Sequence, residues 1–357
     1  MQFLIFIISV IVIFWAIGAF YLKGPDLSRY DGPPDGEAVR SFPGLDGPSA
    51  GHWEKVAEVQ KFGAEAAALG QKQRLTRMRA YMDEQGAKRD YASEFSPVDA
   101  GGVPAEWVLA PGAVGNRRVL YIHGGAFIAG SPLSHHNITN RFSEITGAAV
   151  LSIDYRLMPE HGRLASLEDC KTAYRWILEN GPDGPGAPEH LVVSGDSAGG
   201  NLTLALSAWV RDQGLRAPDA IVGLSPLADS TFSGPSIPEN IESDFMLGPL
   251  FAPLMRMPLF LRRWLFVLQN RLHPANPAVS PVFGDLSNLP PTLIQVSEAE
   301  MLRDDAYRYV RKARASGTRA EAQGWAHMLH VWHIFYPEVT EAGEAWDEIG
   351  KFVDSTR

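Results

Sequence analysis

The chain has 357 residues, 45% of them hydrophobic and 20% charged, with a formal net charge of -9. That is the composition of a folded globular chain, long enough for one large domain or two modest ones, and its acidic balance argues against nucleic acid as a partner. The single cysteine, Cys170, excludes an intrachain disulfide, so the fold is held by its core.

Residues 3–22 carry no charge and are rich in Ile, Val and Phe. A helix of that length rises about 30 Å, enough to cross a bilayer core. A cleaved signal peptide is the rival, but no Lys or Arg precedes the run, and it is longer than the usual apolar core of about 7–15 residues. The expectation is an uncleaved single-pass membrane anchor. Lys23, Arg29 and Arg40 follow the span. By the positive-inside rule they place the body in the cytoplasm, while a secreted or periplasmic body stays open.

Residues 23–52 are rich in Gly, Pro and Asp and read as a tether. Residues 53–95 turn helical, with apolar positions at Val56, Val59, Phe62 and Leu69. They are expected to lie over the body as N-terminal cap helices. Residues 91–110 offer strand-like pieces around the turn Gly101-Gly102. From there to residue 357 short apolar runs alternate with helical patterns. Strands are expected at 119–122, 148–153, 191–193, 220–224, 291–296 and 319–323, and helices at 134–146, 167–180, 201–209 and 337–352. That alternation predicts a parallel sheet covered on both faces. Cys170 falls in a helix as a small buried apolar residue. Residues 235–274 interrupt the alternation with a run of Leu, Phe, Met and Trp interleaved with Arg256, Arg262, Arg263 and Arg271. This insertion reads as a lid over an apolar pocket, as helices dipping into a membrane surface, or as plain helical core.

The chemistry starts at Gly195-Asp196-Ser197-Ala198-Gly199-Gly200, between an apolar strand and a buried helix. Glycines two before and two after the serine relieve crowding in a sharp turn that lifts the hydroxyl above the sheet. A serine is a weak nucleophile until a base takes its proton, and the base needs an orienting acid. In doubly wound hydrolases these follow in the order Ser, acid, His. His327, His330 and His333 lie after the last strand; their spacing of three invites a metal, but no Cys or acid cluster accompanies them, so none is expected. His330, the central one, is the candidate base. Glu298, Glu300, Asp304 and Asp305 follow the strand at 291–296 and are the candidate acids. His123-Gly124-Gly125-Ala126-Phe127 after an early strand, with the amide of Ala198, suits an oxyanion hole.

With these motifs the sequence resembles the hormone-sensitive-lipase-like family of α/β-hydrolase carboxylesterases. Beyond those already quoted, the resemblance is carried by Asp154-Tyr155-Arg156-Leu157-Met158-Pro159-Glu160-His161, Ser280-Pro281, Leu289-Pro290-Pro291-Thr292, Leu302-Arg303-Asp304 and His330-Val331-Trp332-His333, in the family's order. It implies an α/β-hydrolase fold with a mostly parallel central sheet and a helical cap that includes the insertion. It implies Ser197 as nucleophile, His330 as base, the amides of Gly124, Gly125 and Ala198 as oxyanion hole, and residues 154–156 as braces under the site. Two positions depart from the pattern: the family's third glycine is Ala126, and the acid position, usually aspartate, is Glu300, with Asp304 as rival. The expected activity is hydrolysis of small-molecule carboxylic esters with small to medium apolar acyl chains, without metal or organic cofactor. A membrane-associated lipase or deacetylase is the alternative, and a ligand receptor on the same fold a more distant one. The motifs leave the oligomeric state open.

Overall fold

The computed structural model describes residues 1–42 and 47–357. Nine strands form one sheet: β1 (Val39–Phe42), β2 (Glu94–Asp99), β3 (Pro104–Leu109), β4 (Val114–Ile122), β5 (Ala148–Ile153), β6 (His190–Asp196), β7 (Ala220–Leu224), β8 (Thr292–Ser297) and β9 (Ala320–Trp325). Their order is β1-β9-β8-β7-β6-β4-β5-β3-β2. Every pair from β1 to β5 is parallel, and only β3 against β5 and β2 against β3 run antiparallel. Central strands such as Ala148–Ile153 and His190–Asp196 are buried at every position, which is why they read as unbroken apolar runs rather than alternating ones.

Helices cover both faces. On one, α5 (Ala165–Ile177), α6 (Ser197–Asp212) and α10 (Arg303–Ala315) bury Leu167, Tyr174, Leu202, Leu206 and Val310 against Leu120, Leu151 and Ile294. On the other, α4 (His136–Thr146) and α11 (Thr340–Asp354) set Ile138, Phe142, Trp346 and Ile349 against Val119, Val150 and Val192. Helix α4 stops at Gly147, whose left-handed φ of 60° lets its amide close on Ser143 O before the chain turns into β5. Cys170 is fully buried in α5, and burial pushes its thiol pKa far up. Parallel strands end on a common edge, so the loops after β4, β6, β8 and β9 meet there, where open α/β sheets bind ligands.

Outside the sheet lie α1 (Gln2–Ala16), continued by a π-helical turn at Ile17–Tyr21, the helices α2 (Ala50–Ala67) and α3 (Gln71–Ala87), and three helices of the insertion, α7 (Ser236–Glu239), α8 (Leu247–Met255) and α9 (Leu259–Asn270). The π turn extends the apolar helix to a continuous 20 residues, Gln2–Tyr21, of which only Gly18 is buried. It is long and apolar enough to cross a membrane.

The tether expected over residues 23–52 is not a free linker, although its residues 43–46 lie outside those described. Val39–Phe42 adds the edge strand β1, parallel to β9, and Phe42 stacks on Trp325 with ring centroids 4.4 Å apart. Before it, Asp31 takes two bonds from the Arg308 guanidinium, at 2.6 and 3.1 Å, and Arg311 donates to the carbonyls of Tyr30 and Gly32. Composition missed this because the partners sit 277 positions away on α10. Arg308 is 4% exposed and lies 3.8 Å from buried Asp229. Substituting Arg308→Met removes the clamp and leaves buried acids unanswered; it should lower stability by about 3 kcal/mol or more in urea melts of the detergent-solubilised protein. It should also open residues 28–36 to limited proteolysis. An unchanged midpoint and digest would show that the segment is held by something else.

Candidate active site

Ser197 sits where β6 passes into α6, with a backbone φ of 51°. A left-handed serine is strained, and the surroundings enforce it. A side chain on Gly195 would come within 2.6 Å of the Ile122 carbonyl, and one on Gly199 would run into the same carbonyl and that of His123. Glycine at both positions lets β4 and the start of α6 close on each other and forces the turn that presents Ser197. The preceding Asp196 is buried and accepts bonds from Tyr121 OH at 2.5 Å and from the Gly124 amide at 2.9 Å. His135 Nε2 lies 3.4 Å from the same oxygen. Burial works to raise the Asp196 pKa, but these partners, His135 foremost, carry it below the usual carboxylate value.

That bond corrects one expectation. The Gly124 amide is committed to Asp196, so it cannot also receive a substrate oxygen. The loop then turns left-handed at three successive residues, Gly125 (φ 113°), Ala126 (φ 56°) and Phe127 (φ 64°). Among the described residues, the amides of Gly125 and Ala126 carry no hydrogen-bond partner. The loop is braced from behind. Tyr155 OH donates to His123 O at 2.8 Å, and the His123 ring stacks on Tyr155 at 4.2 Å. Burial, reinforced by His135, drives the His123 pKa down to about 3, so the ring is neutral. From α3, Arg79 donates to the carbonyls of Ile128 at 2.7 Å and Met158 at 3.0 Å, which ties the N-terminal helices to this loop.

Glu300, with no exposed surface, lies in the loop after β8, and His330, 3% exposed, in the loop after β9. His330 Nδ1 is 3.2 Å from Glu300 Oε2, which also accepts from Ser225 Oγ at 2.9 Å. His330 Nε2 is buried with no partner among the described residues. Burial alone would lower the His330 pKa, but the carboxylates of Glu300, Asp244 and Asp196 outweigh it and hold the pKa above the ordinary histidine value. Burial raises the Glu300 pKa, and His330 only partly offsets it.

The other candidates are engaged elsewhere. Asp304 accepts from the Ser236 amide at 2.6 Å, Asp305 from the amides of Ala228 and Asp229 at 2.7 and 2.8 Å, and Glu298 from Tyr307 OH. His327 is exposed, and His333 is buried with its Nε2 2.7 Å from Gln295 Oε1. The three histidines therefore diverge, and among the described residues no group of His, Cys, Asp and Glu is arranged to hold a metal ion.

Three supporting residues escaped the sequence reasoning. Asn240 Nδ2 donates to the carbonyls of Glu298 and Glu300, both at 2.8 Å. Asp244 accepts the Met301 amide at 3.0 Å and the Leu247 amide at 2.8 Å, bonding the acid loop to the first turn of α8. Ser225, left-handed at φ 47°, accepts the Val331 amide at 3.3 Å while donating to Glu300. No motif announces them; the only signal, for Asn240 and Asp244, is that polar residues stand at the root of an otherwise apolar insertion. A cleft of about 380 Å³ between α2 and the insertion is lined by Gln60, Ile241, Phe245, Gly248 and Ala252, with Asp244 among its walls.

Comparison with known proteins agrees with this architecture. A family model described as alpha/beta hydrolase fold matches residues 119–334. An acetyl-hydrolase of Streptomyces hygroscopicus is 38% identical over 256 residues, covering 72% of this chain and 81% of the relative. An esterase of Acinetobacter venetianus is 30% identical over 262 residues, 73% of this chain and 82% of its own. Among solved structures, an esterase from the bacterial hormone-sensitive lipase family superposes with a TM-score of 0.74 at 32% identity, covering 85% of this chain and 98% of that one. The esterase EstE5, soaked with p-nitrophenyl butyrate, superposes with a TM-score of 0.73 at 34% identity over 86% of this chain and 99% of that one. By sequence and by fold alike, the chain belongs to the α/β-hydrolase fold family, among its hormone-sensitive-lipase-like members.

Proposed function

We propose that this carboxylic ester hydrolase works through Ser197, His330 and Glu300 by way of an acyl-enzyme. The observation that carries the reading is His330, buried, with Nδ1 on a carboxylate and Nε2 left without a partner. A histidine so placed is fixed as the tautomer whose Nε2 accepts a proton, and the carboxylate stabilises the imidazolium that results. Ser197 Oγ attacks the acyl carbon as His330 Nε2 takes its proton. The amides of Ala198, Gly125 and Ala126 receive the oxyanion; donors of this kind are worth about 3 kcal/mol each. His330 then gives its proton to the departing alcohol, which leaves Ser197 acylated. Water, activated by the same nitrogen, releases the acid. The apolar cap favours small to medium apolar acyl chains. No step calls for a metal or an organic cofactor.

The same proposal keeps the N-terminal helix in the mature protein as a membrane anchor. Gly18 and Leu22 are buried against the body, and Arg263 donates to the carbonyls of Gly18 and Ala19, both at 3.2 Å. Among the small residues Ala16, Gly18 and Ala19, cleavage after Ala19 would strip a buried guanidinium of both acceptors, and cleavage after Gly18 of one.

Ser197→Ala should cut turnover of p-nitrophenyl butyrate by about 10⁴-fold or more and abolish labelling by a fluorophosphonate, with thermal stability retained. A wild-type protein that stays unlabelled would instead be a ligand receptor. Glu300→Gln should cost about 10⁴-fold in kcat, while Asp304→Asn costs far less; the reverse order would move the acid to Asp304. Because neutral His330 is the active base and its pKa lies above the ordinary value of about 6.5, kcat/KM should rise with pH through a midpoint above that value. Asp244→Asn removes one of the carboxylates that raise this pKa, so it should move the midpoint down; a midpoint that stays or rises contradicts the assignment.

A further inference from the structure

The insertion helices α8 and α9 fully bury none of their large apolar residues. Helix α9, Leu-Phe-Leu-Arg-Arg-Trp-Leu-Phe-Val-Leu-Gln-Asn, buries a single residue, and that residue is Arg263. Helix α8, with Leu247, Leu250, Phe251, Leu254 and Met255, buries only Gly248. A surface helix of a water-soluble protein does the reverse, turning its apolar stripe inward. Here Leu268 is 71% exposed and Leu250 42%. The charge is equally one-sided. Between Asp244 and Asp285 there are four arginines and no acid, in a chain whose net charge is -9.

These helices are also where the N-terminal span meets the body. Trp264 stacks on Phe14 with centroids 4.7 Å apart and planes 7° from parallel, and its Nε1 donates to Phe14 O at 3.0 Å. Arg263 caps the carbonyls of Gly18 and Ala19 in the π turn, and His273 Nε2 meets Tyr21 O at 3.0 Å. Gly18 is required there, since a Cβ would come within 2.9 Å of the Trp264 ring. All these contacts fall in the C-terminal half of the span, from Phe14 to Tyr21. Helix α9 is thereby held at the level where the span leaves the bilayer, the zone that aromatic and basic side chains favour.

We infer that α8 and α9 rest in an anionic bilayer surface as a platform held by the N-terminal span, and that the enzyme draws its esters from the lipid phase. This rests on the ester-hydrolase reading above. The platform is continuous with the chemistry, because Asp244, at the root of α8, bonds the loop that carries Glu300. An acyl chain dissolved in the outer part of the leaflet would reach the cap without crossing water. The two exposed arginines, Arg271 and Arg256 (the latter also paired with Glu242), answer anionic headgroups, and the exposed Leu250 and Leu268 answer the acyl region.

The test uses the full chain in vesicles of phosphatidylcholine with phosphatidylglycerol. An environment-sensitive dye is placed at Leu268→Cys and, separately, at Asp212→Cys, an exposed position at the far end of α6. Cys170 is buried and stays unlabelled. Doxyl-lipid quenching should be strong at position 268 and absent at 212. In parallel, Leu268→Asp should lower kcat/KM for a vesicle-borne p-nitrophenyl laurate roughly tenfold or more while leaving water-soluble p-nitrophenyl butyrate unchanged. A dye at 268 that lipid does not quench, or one shielded only as protein concentration rises, as at an interface with a second copy, would overturn the proposal. So would equal effects of Leu268→Asp on both esters. If butyrate is not hydrolysed at all, the enzymatic reading fails, and the quenching result still decides the platform.

Discussion

A carboxylate with no exposed surface is tolerated only where its charge is answered, and Glu300 is such a group. Its Oε2 is shared between His330 Nδ1 and Ser225 Oγ, so Glu300, His330 and the end of β7 are fixed against one another. The backbone around it is held with the same care. Asn240 grips the carbonyls of Glu298 and Glu300, Ser243 Oγ donates to Ala299 O at 2.9 Å, and Asp244 takes the Met301 amide. All three residues stand at the root of the insertion. The position of Glu300, the proposed acid, therefore depends on the insertion being seated. Glutamate's extra methylene makes this support more important than for aspartate, since a longer side chain holds a histidine in one orientation only if its own backbone cannot drift.

Strain collects on the same sheet edge. Ala126, Phe127, Ser197, Ser225 and Val331 all adopt left-handed φ values between 47° and 64°. Each belongs to a loop leaving the carboxyl end of β4, β6, β7 or β9. The central sheet is buried and rigid enough to hold such strained loops along one edge. Asp196 links two of these loops directly: it precedes the serine in one and binds the Gly124 amide of the other. A change in the Ser197 turn is thus felt in the loop whose amides are proposed to receive the oxyanion.

What was legible in the sequence is what the chain states locally. The Ser197 turn, the alternation of strands and helices and the long apolar helix each depend on neighbours a few residues away. His330 and Glu300 could be singled out because the fold imposes an order on their motifs, and the structure brings that glutamate, not Asp304, to the histidine. Other features are written in no local pattern. Which amides of residues 124–126 remain free is decided by where Asp196 points. The edge strand Val39–Phe42 hides in a Gly- and Pro-rich stretch because its pairing partner, β9, lies at the other end of the chain. Asn240, Asp244 and Ser225 look like ordinary polar residues until tertiary contact gives them the acid loop to hold.

A membrane anchor could be no more than a leash, but the contacts of the N-terminal helix make it a structural element. A leash would need only to be long and apolar; this one ends in a π turn whose widened backbone offers two carbonyls to Arg263, at a glycine that lets Trp264 lie flat against it. Those contacts explain why α9 buries an arginine rather than a leucine. With the guanidinium satisfied inward, Leu268 is left exposed and the other apolar residues of α9 only half-covered, an arrangement that water disfavours and lipid does not. Span, platform and acid loop form one mechanical series: the span meets α9, α9 follows α8 across a short turn, and the first turn of α8 shares Asp244 with the loop of Glu300. Removing the first 22 residues is therefore not a neutral way to obtain a soluble enzyme. It takes away the acceptors of a buried charge at one end of that series, and the other end supports Glu300, the proposed partner of His330.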